Sequence, residues 1–147
     1  MRRAGLIGSV LPLMSLLFSF GLSSGCTSGD AVFNPKSDYP LDPWVKGFTD
    51  PDDCIGGEKL AARRFALPDY PKKAFKTGRQ GWVILRLDID AFGETENIRV
   101  ERSLPDGMFD KNARRAAENW QFHPPAKPLE NCRVLIRYQL GAVSLGG

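Results

Sequence analysis

Apolar and polar residues alternate from Trp82 to Asp90, with Val83, Leu85, Leu87 and Ile89 on one side and Arg86, Asp88 and Asp90 on the other. A period of two over this length predicts a strand with one buried face. Ala91 to Thr95 contains Gly93, which takes positive φ without penalty, and predicts a reversal. Asn97 to Ser103 then returns as a second strand with Ile98 and Val100 inward. The period changes at Phe109, Ala113, Ala116, Ala117 and Trp120, an apolar stripe at helical spacing, with Lys111, Arg114, Arg115 and Glu118 opposite. His123-Pro124-Pro125 ends that helix, because neither proline donates and each restricts the residue before it. Alternation resumes from Arg133 to Leu140, which turns Val134, Ile136, Tyr138 and Leu140 inward.

Upstream, Lys72 to Thr77 reads as a short helix with Asp69 as its cap, Pro71 in its first turn and Gly78 just past its end. Glu58 to Phe65 reads as two further helical turns, with Leu60, Ala61 and Phe65 on one side. The order helix, strand, strand, helix, strand predicts an α+β fold: a three-stranded antiparallel sheet with two helices on one face. The helical crossover makes the second and third strands parallel, so the first strand lies between them, antiparallel to both. The third strand, Arg133 to Leu140, becomes an edge, and the far face of the sheet stays wet. A domain over residues 67–141 is expected, followed by a disordered tail over 142–147.

The segment before the domain has a different character. Met1-Arg2-Arg3 precedes an uncharged apolar run from Leu6 to Leu22, and Ser23-Ser24-Gly25 supplies small residues before Cys26. That is the order of a secretory signal over residues 1–25. Pro12 interrupts the run, and the run is shorter than the roughly 20 residues that span a bilayer; a retained membrane helix is the other reading. Ser23-Ser24-Gly25-Cys26 resembles a bacterial lipobox, in which the cysteine carries lipid and becomes the mature N-terminus. It departs from the usual pattern in having Ser23 where an aliphatic residue stands. With an ordinary secretory signal, Cys26 would be a bystander. Residues 26–66 hold Pro35, Pro40, Pro43 and Pro51 together with Phe33, Tyr39, Trp44 and Phe48. Prolines at that density prevent regular helix, while a wholly solvated linker has little use for so many rings. The segment is expected to be a tether or arm that lays some rings on the domain.

Composition changes this picture in one respect. The chain has three cysteines, Cys26, Cys54 and Cys132. An odd number leaves one unpaired in an exported protein, and lipid on Cys26 would leave Cys54 and Cys132 as a disulfide pair. Two buried free thiols are the alternative. The formal charge is +3, of which Arg2 and Arg3 contribute two, so the domain carries no basic footprint for nucleic acid. Asp88 and Asp90 share a face but read as solvated strand carboxylates rather than an acid–base pair. His123 lacks a Ser or Cys nucleophile partner, and no metal-ligand spacing or phosphate-binding glycine loop is present. Neither an enzyme, a cofactor nor a small-molecule substrate is expected.

Several residues together resemble the TonB C-terminal domain family. They are Tyr70-Pro71 before the first helix, Gly81 with Val83 in the first strand, Ile89-Asp90 with Gly93 at the turn, and Ser103 with Pro105 after the second strand. Phe109-Asp110, Ala113, Ala116, Trp120, Phe122 and Pro124 follow in the order and spacing of that family's second helix. The resemblance covers Leu67 to Leu140. It implies a periplasmic protein-binding module that takes an extended segment of an outer-membrane receptor onto its sheet edge in TonB-dependent transmembrane transport. The expected contacts are Arg133, Leu135, Arg137 and Gln139 on the last strand, with Tyr70 and Pro71 nearby. The edge is alternatively covered by the aromatic arm. A cleaved, lipidated N-terminus would instead make the chain an accessory outer-membrane lipoprotein that holds an envelope partner without transducing energy.

Overall fold

The computed structural model of the chain describes residues 31–45 and 60–146. After an extended arm over residues 31–45 come β1 (Ala62–Arg64), α1 (Lys72–Lys76), β2 (Gly81–Ile89) and β3 (Thr95–Leu104). There follow α2 (Asp110–Ala117), β4 (Gln121–Phe122), β5 (Leu129–Gln139) and β6 (Ala142–Gly146). The main sheet runs β3-β2-β5-β6 with every neighbour antiparallel, and β1 pairs with β4 in a separate two-stranded ribbon.

The alternation in β2 decides the layering. Val83, Leu85, Leu87 and Ile89 are buried in one cluster with Val134, Ile136 and Tyr138 of β5, Ala113 and Ala117 of α2, and Ala74 of α1. Both helices therefore pack on one face of the sheet, as their apolar stripes require. Small alanines let α2 sit close, and the remaining space is filled by rings: Phe109 stacks on Tyr138 with centroids 4.3 Å apart, and Phe65 on Trp120 at 4.5 Å. Gly81 is needed where β2 passes the end of β3, because a Cβ there would stand 1.9 Å from the Leu104 carbonyl oxygen.

Four local expectations are corrected. The residues expected to be helical around Ala62–Arg64 form β1, since Leu60 and Phe65 pack on the core, the Trp120 indole donates to the Ala66 carbonyl at 2.8 Å, and His123 N–H donates to the Ala61 carbonyl at 2.8 Å. Asp69 does not cap α1; Pro71 occupies the cap with no side-chain hydrogen bond. The second helix stops at Ala117, and Gln121–Phe122 leaves it as a strand. Residues 142–146, expected as a loose tail, form β6, and Leu140 is exposed in the turn before it. The expected leader (residues 1–25), Cys26, Phe48 and Cys54 lie outside the described residues.

Candidate functional site

The expected edge strand has a neighbour along part of its length. β6 pairs with Leu135 to Gln139 through a two-residue turn, Leu140-Gly141, in which both residues have positive φ (50° and 79°). That turn suits the twist of a tight hairpin. A signal for it stood in the sequence, Gly141 followed by Val143 and Leu145 two apart. β5 is eleven residues long and β6 five, so from Leu129 to Val134 the outer border of β5 meets no strand among the described residues. A bulge lies within this open stretch: Asn131 has φ 56°, and its N–H donates to Asp88 Oδ1 at 2.7 Å. The other Asp88 oxygen accepts from Asn97 Nδ2 at 2.8 Å. Asp90 Oδ1 in turn accepts the N–H groups of Phe92 and Glu94 at 2.9 and 2.8 Å. Both aspartates thus hold backbone irregularities in place.

The face of the sheet away from the helices is partly roofed. Trp82, Ile84 and Leu135 form a second buried cluster on which Tyr39 and Val45 of the arm pack. Backbone and side chain fasten the arm along β2: Lys36 N–H donates to the Gly78 carbonyl at 2.8 Å, Gln80 Nε2 to the Ser37 carbonyl at 2.7 Å, and Trp82 Nε1 to the Leu41 carbonyl at 3.1 Å. At its far end Asp42 accepts Arg137 Nε at 2.6 Å and the Tyr39 hydroxyl at 2.6 Å. Burial first, and the Asp42 carboxylate second, push the Tyr39 hydroxyl well above its ordinary pKa. Arg137 also donates Nη1 to the Leu145 carbonyl of β6 at 3.1 Å, and its guanidinium lies where a Cβ on Gly146 would fall.

The expected contact residues therefore separate. Leu135 is 2% exposed and belongs to the face that the arm covers, so it is corrected from a partner contact to a packing residue. Arg137 is engaged by Asp42 and β6. Gln139 is exposed at the hairpin end, opposite Ala142. Arg133 lies on the open stretch, paired with Glu101 at 2.9 Å, and is aligned across the sheet with Arg86 and Arg99. Tyr70 sits on the helix side, in contact with the rings of Phe33, Phe75, Phe109 and Tyr138. Its hydroxyl donates to the Arg79 carbonyl at 2.6 Å, and burial pushes its pKa up to about 12. Pro71 caps α1. Tyr70 and Pro71 thus lie across the sheet from Leu135 and Arg137, and the six residues do not form one surface.

A family profile described as "Gram-negative bacterial TonB protein C-terminal" matches residues 66–140, just over half of the chain. The chain belongs to the TonB C-terminal family. Among curated relatives, Protein TonB of Xanthomonas campestris pv. campestris is 39% identical over 64 residues, which are 44% of this chain and 29% of that protein. Protein TonB of Pseudomonas aeruginosa is 31% identical over 74 residues, 50% of this chain and 22% of that protein. The chain thus spans less than a third of either relative. The solution structure of the Pseudomonas aeruginosa TonB CTD has a TM-score of 0.52 and 24% identity, covering 60% of this chain and 93% of that one. It shares the fold. The TonB match ends at residue 140, so the arm over 31–45 and β6 both lie outside it.

Proposed function

We propose that this TonB-family domain is a protein-binding module of the cell envelope, taking an extended segment of an outer-membrane receptor onto the border of β5 in TonB-dependent transport. The observation that carries the reading is the length difference in the edge hairpin, which leaves the outer border of β5 upstream of Leu135 facing no strand among the described residues. A strand whose border is unpaired offers backbone donors and acceptors in register, and strand addition uses them for affinity. The visiting segment would continue the line of β6, with Arg133 beside it. This moves the expected site upstream from Leu135, Arg137 and Gln139, whose stretch of border β6 already occupies.

Hydrogen–deuterium exchange with synthetic peptides from receptor N-terminal segments tests the site. Protection is expected in Leu129 to Val134 on peptide addition, with β6 unchanged. A chain stopped after Gly141 separates the alternatives. If the peptide takes the place of β6, truncation strengthens binding and moves the protection to Leu135 to Gln139. If the open stretch is the site, affinity changes little. No protection anywhere along β5 overturns the proposal.

The N-terminus carries a second reading. Ser23-Ser24-Gly25-Cys26 supports a lipidated Cys26 and hence an outer-membrane lipoprotein that holds an envelope partner without energy transduction. Intact mass of the protein from its envelope distinguishes diacylglycerol on Cys26 from a chain that keeps Met1. Cys54 is the partner we assign to Cys132, which is buried in the core and disulfide-bonded. Lipid on Cys26 leaves Cys54 as the remaining cysteine.

A further inference from the structure

We propose that the exposed side of α1 is a lipid-facing surface, on which Lys72, Lys73 and Lys76, with Arg79 and Lys36 beside them, rest against an anionic bilayer leaflet. The charge pattern comes first. Positions 72, 73 and 76 fall within one arc of a helix, and all three lysines are exposed, as are Arg79 and Lys36. None of the five is in an ion pair among the described residues, whereas Arg133 and Arg137 on the opposite face are answered by Glu101 and Asp42. Ala74 faces the core between the lysines and fixes the helix's rotation, so the cations are held outward together.

The path of the chain supplies the partner. The first described residues of the arm dock on this same helix. Phe33 meets Phe75 with ring centroids 5.3 Å apart, and Lys36 N–H bonds the Gly78 carbonyl at 2.8 Å. Ala31 is five residue steps from Cys26, at most about 17 Å of extended chain. A lipid on Cys26 therefore keeps α1 within reach of the headgroups, and a retained membrane segment ending near Leu22, nine steps from Ala31, would tether it at up to about 30 Å. A tether of that reach lets the clustered lysines approach an anionic leaflet to within a screening length of about 8–10 Å, where they are attracted. Val32, 88% exposed and next in sequence to the Phe33 that meets Phe75, would add an apolar contact. The inference rests on the membrane attachment proposed above and is independent of strand addition at β5.

The test uses the full chain purified from its envelope and mixed with vesicles. One set is neutral phosphatidylcholine, and the other contains roughly one-third phosphatidylglycerol. Flotation reads attachment, and labelling by a water-soluble amine reagent, mapped by peptide mass, reads the face. Labelling of Lys72, Lys73 and Lys76 is expected to slow about threefold in the anionic vesicles and to recover in about 0.5 M salt, while Lys111 and Lys127 label alike in both. The K72Q/K73Q/K76Q variant, altered only at exposed positions, should float as before while losing the lipid-dependent protection of residues 71–79 in hydrogen exchange. Equal lysine labelling in floating samples of both compositions overturns the lipid-facing surface and leaves attachment standing. Failure to float with either vesicle overturns both.

Discussion

Tyr70 and Tyr138 are neighbours with opposite hydrogen-bonding fates. The Tyr70 hydroxyl reaches the Arg79 carbonyl, while the Tyr138 hydroxyl is buried without a hydrogen-bond partner among the described residues. An unsatisfied buried hydroxyl costs about 1–3 kcal/mol, and a satisfied one contributes about 1 kcal/mol. Tyr138→Phe should therefore leave stability unchanged or raise it by about 1 kcal/mol, and Tyr70→Phe should lower it by about 1 kcal/mol, in urea titrations. Both hydroxyls have their pKa raised by burial, Tyr70 to about 12, because the fold favours the neutral phenol. Their contribution is fully present below pH 10 and is lost as pH climbs through the folded values. Stability measured against pH should be flat up to about 10 and then fall, and the double Phe variant should fall less steeply. Gly81→Ala places a methyl group against the Leu104 carbonyl and should cost about 2 kcal/mol.

At the scale of elements, β2 and α2 were legible because their apolar periods are long, and β3 because Ile98 and Val100 follow the turn at Gly93; the same patterns give their order, with which the TonB-family spacing agrees. β5 is legible in kind but begins at Leu129, four residues before the regular alternation that starts at Arg133, because the bulge at Asn131 breaks the period. β1 was misread as helix: Ala62, Arg63 and Arg64 have no strand pattern of their own and are extended because β4 and the packing of Phe65 on Trp120 hold them so. β6 was missed since its side chains are only partly buried, which leaves a weak alternation. The candidate site was half legible. Arg133 could be placed on the last strand from its period alone, but the fates of Leu135 and Arg137 depended on contacts with Tyr39, Val45 and Asp42, some ninety residues upstream. Phe65→Ala tests this account of β1. It should free the β1–β4 ribbon, seen as faster exchange at the His123 amide, with stability lowered by about 3 kcal/mol.

In the molecule as a whole, the docked arm ties upstream chain to β5, and the disulfide proposed for Cys132 would add a second tie. If Cys54 is the partner, Cys54→Ser should lower stability by about 2–4 kcal/mol under oxidising conditions and leave it unchanged in reductant. The other tie meets at a single guanidinium. Arg137 grips Asp42 from near the start of the described chain and the Leu145 carbonyl near its end, so neither grip loosens without disturbing the other. Asp42→Asn, worth only about 0.5 kcal/mol globally, should quicken amide exchange in Ala142–Gly146 as well as in the arm. A tug on the arm would then be felt at the β5–β6 rim of the sheet, beside the border proposed for a guest strand.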